Sequence, residues 1–199
     1  MNDTTLHEKL DRLKTILRSS GGCVVAFSGG VDSTFLLTVA HEVLGERCLA
    51  VIATSSTYPE RERDQAVRFV EKRGISYEVI VSEELDIPGF SENPRDRCFH
   101  CKSELFRKVR ARADARGLPW IADGANADDT RDYRPGMRAA RELGVRSPLL
   151  EAGLTKDDIR LLSREVYHLP TADKQSMACL ASRFPYGSAI TREKLGQVE

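Results

Sequence analysis

Six consecutive residues, Ser28-Gly29-Gly30-Val31-Asp32-Ser33, have the types needed to hold a phosphate. Two glycines let the backbone turn tightly and come close to an anion. Where such a turn opens a helix, the free N–H groups of the first turn and the positive end of the helix dipole face that anion. Ser28 and Ser33 add hydroxyl donors. Asp32 is the unusual member, because a carboxylate beside phosphates repels them unless a cation or a polarised N–H lies between. A magnesium ion would resolve that conflict. A plain strand-to-helix turn capped by Asp or Ser draws on the same residue types, and the Gly-Lys-Ser/Thr of a Walker loop is absent.

Cys98-Phe-His-Cys101 is a second candidate. Residues at i and i+3 of a helix share a face, and a helix N-terminus favours thiolates. A dithiol redox pair, a zinc site and an iron–sulfur cluster all fit this spacing. His100, between the two thiols, would point away from a metal that both held and reads as solvated. The chain has five cysteines, an odd number without a regular framework, so a disulfide scaffold is not expected. Cys23 and Cys48 fall in apolar runs and read as core residues.

The elements that must position these groups alternate. Leu6, Leu10, Leu13, Ile16 and Leu17 recur at helical spacing behind a Thr5-x-x-Glu8 capping box, and Gly21-Gly22 ends the helix. Residues 23–27 read as a buried strand, 32–44 as a helix, 48–53 as a second strand and 59–73 as a second helix with Pro59 in its first turn. A third strand over 77–81, a polar loop over 82–97, a helix carrying 104–115 and a fourth strand over 120–122 follow. Residues 147–150 suggest a fifth strand, and Thr155-x-x-Asp158 opens another helix. Residues 170–187 form a long irregular loop, of a kind that is often functional or disordered. Such alternation predicts an α/β fold, a parallel sheet with helices on both faces. Ligands then bind beyond the carboxyl ends of the strands, where the unusual loops 28–33, 54–58 and 123–129 lie.

The hexapeptide matches the SGGxDS signature of the PP-loop ATP pyrophosphatases (adenine nucleotide alpha hydrolase-like). Four further stretches follow in order: Asp123-Gly-Ala-Asn-Ala-Asp-Asp129, Tyr133-Arg-Pro-Gly136, Arg146-Ser-Pro-Leu149 and Ser176-Met-Ala-Cys-Leu-Ala-Ser-Arg-Phe-Pro-Tyr-Gly187. With the hexapeptide they resemble the LarE family from the first helix to the last residue. That resemblance implies an ATP-dependent sulfur transferase that matures the nickel-pincer nucleotide cofactor of lactate racemase. A carboxylate of pyridinium-3,5-biscarboxylic acid mononucleotide would be adenylylated by Mg-ATP and attacked by sulfur, twice over, releasing AMP and leaving thiocarboxylates. A carboxylate oxygen is a poor leaving group, and the mixed anhydride with AMP makes the attack by a thiolate feasible.

The resemblance also implies site residues. Cys179 matches the sulfur-donating cysteine, followed by Ser182 and by Arg183, which could hold a phosphate and favour the thiolate. Cys98, Cys101 and Cys179 together match the family's three-cysteine type, in which a 4Fe–4S cluster carries the sulfur; the other type sacrifices a single cysteine as dehydroalanine. Ala26, Ser28, Gly29, Gly30, Asp32, Ser33 and Thr54 line the nucleotide side, with Gly124 and Asn126 closing it. Asp128 and Asp129 suit Mg²⁺, a hard ion that takes oxygen ligands, and a solvated turn or helix cap equally well. Arg131, Arg134 and Arg138 suit phosphates, a neighbouring subunit or an exposed helix face, and residues 60–64 read as a solvated face.

Composition narrows the partners. Thirty basic and thirty acidic residues cancel, and 41% hydrophobic with 30% charged residues is a globular balance. Zero net charge argues for a small-molecule nucleotide substrate over nucleic acid, and so against the nearest rival, a PP-loop tRNA thiolase with the same cysteine pattern. An amidating ligase leaves the CxxC unexplained, and the intact hexapeptide argues against a non-catalytic nucleotide sensor. No apolar run could span a bilayer, and the charged N-terminus is no secretory signal, so the expected setting is cytoplasmic. The length suits a PP-loop domain over 1–169 and, over 170–199, an active-site loop with the start of a C-terminal region. LarE-like chains usually continue further, which suggests a shortened form of a homo-oligomer served by a sulfur donor and other cofactor-pathway proteins.

Overall fold

Side chains along four short parallel strands divide between two faces with period two, and this builds the layers. The structure, a computed structural model, describes residues 3–131, 135–175 and 177–198. Strand β1 (Cys23–Ala26) lies between β2 (Cys48–Thr54) and β4 (Trp120–Ala122), and β3 (Tyr77–Val81) forms the far edge in the order β3-β2-β1-β4. Cys23, Val25, Cys48, Ala50 and Ile52 enter one layer, under α1 (Asp3–Ser19), α2 (Val31–Leu44), α3 (Glu60–Lys72) and α7 (Lys156–Glu165). Val24, Leu49, Val51 and Ile121 enter the other, under α4 (Arg97–Ala115) and α5 (Pro135–Glu142). Strands covered on both sides must be apolar throughout, which is why β1 and β2 read as continuous runs. The α/β architecture is therefore the predicted one, with helices on both faces of a parallel sheet. Cys23 and Cys48 are register partners, fully buried and unbridged. The neighbouring Cys23 thiol and burial push Cys48 far up, so it stays a neutral thiol.

Two local expectations fail. Thr5 does not cap α1, because the helix already runs from Asp3. Residues 147–150 are no strand: Ser147 sits at the N-cap of the short α6 (Pro148–Glu151), and only Arg146 bridges to Ala122. Pro148 has no N–H for a ladder and suits a first helical turn.

The segment 170–187 is irregular apart from a 3-10 turn at Leu180–Arg183, and α8 (Arg192–Val198) follows it. It has a small core of its own. Leu180, Ala181, Ile190 and Leu195 bury against Phe90, with Cys101 packed at the edge. Asn93, in the left-handed region at φ 57, donates to the carbonyls of Phe184 and Pro185, while its own carbonyl accepts from Gly187. Among the described residues no helix is long and apolar enough to cross a membrane.

The Thr155 capping box forms as predicted, with both reciprocal bonds present. Asp158 is 1% exposed, and its Oδ2 accepts from Lys9 Nζ at 2.6 Å and from the Thr155 N–H at 3.0 Å. Burial alone would raise this carboxyl, but the Lys9 ammonium and the Thr155 backbone and hydroxyl outweigh it and hold the group below its ordinary value. A depressed carboxyl contributes stability above its unfolded-state pKa and loses it as pH falls through the folded value. Asp158→Asn should cost about 1–3 kcal/mol at neutral pH. Thermal denaturation from pH 7 down to pH 3 should show the gap to the wild type closing on the acid side.

Candidate active site

The sheet delivers the phosphate-loop residues to the end of β1. The chain leaves the sheet at Ala26 and enters α2 at Val31, with Gly30 at the N-cap making no side-chain cap bond. The first N–H groups of α2 are thus left to a ligand. Ser28 Oγ and Ser33 Oγ lie 3.1 Å apart, and Ser33 Oγ also accepts from the Ser28 N–H. Gly29 has φ +64, and a Cβ there would come within 3.2 Å of Ala66 Cβ. Gly124, from the loop after β4, comes so close to the start of α2 that a Cβ on it would lie 3.1 Å from the Ser33 nitrogen. Ala26 and Thr54 end adjacent strands on this side, as the sequence predicts.

Asp32 has a cation, and it is a lysine. Lys156 Nζ lies 2.5 Å from Asp32 Oδ2, and the Asn126 amide donates to Oδ1 at 3.4 Å. Asn126 also orders its own loop: its N–H donates to Asp129 Oδ2, and its Oδ1 accepts from the Asp128 N–H. Asp128 Oδ2 in turn accepts from the Lys156 N–H at the start of α7 at 2.8 Å. Both aspartates thus serve backbone N–H groups here. No motif marks Lys156, which meets Asp32 only because α7 starts beside this loop.

Other residues at the loop carry no sequence signal. Tyr58 OH donates to the Ser28 carbonyl at 2.7 Å, and Lys174 Nζ to the Gly29 carbonyl at 3.1 Å. Lys174 also meets Glu62 Oε2 at 2.5 Å. Glu62 is buried, so the stretch 60–64 is not wholly a solvated face. The solvated reading fails at this position because α3 turns it toward the loop that carries Lys174.

The thiols come from two other elements. Cys98 and Cys101 occupy the first turn of α4, and Cys179 sits immediately before the 3-10 turn. Each of the three lies within electrostatic reach of others: Cys101 feels both Cys98 and Cys179, and Cys179 feels Cys98. Burial pushes the Cys101 thiol up, and the Glu84 carboxylate, 3.6 Å from its sulfur, adds to this. Crowding by the surrounding segment also raises the Cys179 thiol, although its side chain reaches solvent, against a Ser182 backbone N–H and the charge of Arg97, which lower it. Glu84 is itself buried and raised by that burial, though Ser55, Thr57 and Cys101 hydrogen-bond to it. Among the described residues no three Cys, His, Asp or Glu side chains stand close enough to hold a metal ion directly.

Ser182 folds back on Cys179, its Oγ donating to the Cys179 carbonyl at 2.7 Å. Arg183 is exposed and donates to the Val198 carbonyl, and the charge of Arg97 lowers the Cys179 thiol. Arg97 is 5% exposed, bonds Asn93 Oδ1, stacks on the Tyr186 ring at 4.7 Å and leaves its Nε buried without a partner. His100 pairs with Asp96 at 3.5 Å and meets the Phe99 ring edge-to-face, and Arg138 stacks on Phe99 at 3.9 Å. Gly136 brings the start of α5 against α4, where a Cβ would meet Lys102 at 3.1 Å. Tyr133, Arg134 and Ser176 lie outside the described residues, as does the side chain of Arg131. A cavity of about 410 Å³ between Val81, Ile87, Phe99 and Arg107 includes neither the phosphate loop nor a thiol.

The chain as a whole is similar to several known proteins. Residues 6–116 match a family described as NAD synthase. An uncharacterized protein of Synechocystis is 42% identical over 193 residues, covering 97% of this chain and 72% of its own. The pyridinium-3,5-bisthiocarboxylic acid mononucleotide synthase of Lactiplantibacillus plantarum, a LarE protein, is 34% identical over 195 residues, covering 98% of this chain and 70% of its own. The structure of NMN synthetase from Francisella tularensis superposes with a TM-score of 0.69 at 16% identity, over 96% of this chain and 84% of that one, and so shares the fold. The chain belongs to the PP-loop superfamily that the NAD synthase family represents and, within it, to the LarE family.

Proposed function

We propose that this protein is an ATP-dependent sulfur transferase that converts the carboxylates of pyridinium-3,5-biscarboxylic acid mononucleotide into thiocarboxylates for the nickel-pincer nucleotide. The observation that carries this reading is the uncapped start of α2 behind the phosphate loop, with the segment that carries Cys179 tied to that loop through Lys174. The 34% identical synthase supports the choice of substrate.

In this reading, ATP lies across the carboxyl ends of β1 and β2, with Ala26 and Thr54 toward the nucleoside. Ser28, Gly29, Gly30, Ser33 and the start of α2 hold the β- and γ-phosphates. Lys156 neutralises Asp32, so that carboxylate does not repel them. A substrate carboxylate oxygen attacks the α-phosphorus, the bond to the bridging oxygen breaks, and pyrophosphate leaves into the donor groups of the loop. A sulfur nucleophile then attacks the acyl carbon, AMP departs with its oxygen, and a C–S bond replaces C–O. Mg²⁺ would be held by the carboxylates of Asp128 and Asp129, oxygen ligands of the kind a hard ion takes. The residues 1–169 form the ATP-binding unit, and 170–199 the segment that brings Cys179 to it.

The donor set suits a 4Fe–4S cluster in its chemistry: three free cysteines, two at i and i+3 of α4 and one just before the 3-10 turn of the segment 170–199. When bound, such a cluster supplies an iron not ligated by the protein, where an external sulfide can be held. Burial holds the Cys101 thiol up, and binding a metal would release its proton. The protein's share is to hold the three sulfurs, with Arg97 as a nearby positive charge and Glu84 fixing Cys101. A second reading follows from the exposure of Cys179. Its Sγ attacks the acyl adenylate to give a thioester and AMP; loss of the Cα proton and cleavage of the Cβ–S bond then yield thiocarboxylate and dehydroalanine. The setting we propose is the cytoplasm, where thiols stay reduced, with a homo-oligomer fed by a sulfur donor.

Anaerobic reconstitution should give iron and sulfide in a ratio matching one cluster per chain. Cys98→Ala, Cys101→Ala and Cys179→Ala should each lose iron and multiple turnover. Full multiple turnover by Cys98→Ala contradicts the cluster, and a Cys179 that loses the elements of H₂S after one turnover establishes the sacrificial route. Gly124→Ala tests the nucleotide site separately. Its methyl group would crowd the Ser33 N–H, so ATP affinity should fall about tenfold or more while the melting temperature stays within a few degrees. Isothermal titration with ATP and a thermal melt read the two effects.

A further inference from the structure

The carbonyls of the phosphate loop are held from outside. In a loop that binds anions through its N–H groups, a peptide plane turned the wrong way puts an acceptor where a donor is needed. Here the two carbonyls at the head of the loop are both occupied, Ser28 by Tyr58 OH at 2.7 Å and Gly29 by Lys174 Nζ at 3.1 Å. Lys174 is no loose surface lysine. Its side chain is 20% exposed, and its ammonium also donates to Glu62 Oε2 at 2.5 Å and Gln65 Oε1 at 3.2 Å, both on α3. An ammonium has three N–H donors, and all three are used.

Lys174 and the residue before Tyr58 also hold the segment that carries Cys179. Lys174 lies on that segment, a short way before the cysteine. Tyr58 directly follows Thr57, whose carbonyl accepts from the Leu180 N–H at 3.0 Å and whose hydroxyl bonds Glu84 Oε2 at 3.0 Å. Cys179 is therefore bracketed by two attachments, one to the phosphate loop itself and one to the strand-end loop that fixes it.

We propose that Tyr58 and Lys174 are positioning residues for ATP, fixing the two peptide planes at the head of the phosphate loop and coupling the placement of Cys179 to what that loop holds. The proposal rests on ATP binding at this loop and is independent of any cluster. An anion that shifts the loop must shift Lys174, and Lys174 transmits the change to the cysteine segment. Thermodynamic linkage makes the coupling reciprocal.

The test uses the full chain, reduced and free of iron. ATP affinity is measured by isothermal titration, and the iodoacetamide alkylation rates of Cys179 and Cys98 by peptide mass spectrometry, with and without Mg-ATP. In the wild type, saturating Mg-ATP should change the Cys179 rate about threefold or more and leave the Cys98 rate nearly constant. Lys174→Met should weaken ATP about tenfold and, at saturating ATP, abolish the response of Cys179. Lys174→Arg should restore part of both effects. Tyr58→Phe removes one hydroxyl only, keeps the ring, and should weaken ATP about threefold, which keeps the test open if the lysine variant does not fold. A wild type that does not bind ATP overturns the reading of the loop and this inference with it. ATP binding without any change at Cys179, or an equal change in Lys174→Met, overturns this inference alone.

Discussion

The free N–H groups at the start of α2 are the constraint around which this molecule is arranged. They exist because β1 is buried on both faces and must leave the sheet abruptly, and because Gly30 offers no side chain to cap the helix that follows. A helix end left in this state has a positive potential and no internal partner, so it favours an anion. Everything packed nearby respects that. Gly124 keeps a side chain away from the Ser33 nitrogen, Lys156 answers the carboxylate of Asp32, and the two loop carbonyls are occupied from behind. Each of these contacts comes from a different part of the chain, so the loop becomes a binding site only after the whole sheet has formed.

The second half of the chemistry is joined to the first through the loop after β2. Ser55, Ser56, Thr57 and Tyr58 reach the phosphate loop on one side and Glu83 and Glu84 on the other. Glu84 then meets Cys101, and Thr57 meets the segment of Cys179. A hydrogen-bonded path thus leads from the place where ATP would be cleaved to the place where sulfur would be delivered. Two-step chemistry of the proposed kind gains from such a link, because an acyl adenylate hydrolyses if the nucleophile is not already in place.

The layers of the fold were legible from the sequence because a strand buried on both sides must be apolar, as 23–27 and 48–53 are, and because a phosphate loop needs its glycines adjacent. The CxxC is a local pattern as well, and its expected place at the start of a helix is where α4 puts it. The short strand expected at 147–150 was misread because apolar Leu149 and Leu150 fit either state until Pro148 decides for a helical turn. Lys156, Lys174, Tyr58, Glu84 and Arg97 were out of reach. A lysine that neutralises an aspartate 124 positions away has no local pattern, and a charge is buried only where the fold supplies its partner. Arg97 came nearest to being readable, standing beside Cys98, yet nothing in its neighbours announces that it is buried against Asn93 and Tyr186.

The central claim is that ATP is cut between its α- and β-phosphates at this loop in order to activate a carboxylate. The direct measurement is phosphorus NMR of the products formed from Mg-ATP, sulfide and pyridinium-3,5-biscarboxylic acid mononucleotide with the reconstituted protein. AMP and pyrophosphate should appear together, one of each for every thiocarboxylate formed, and neither should appear when the dicarboxylate is omitted. ADP with orthophosphate, or ATP consumption indifferent to the dicarboxylate, would contradict it.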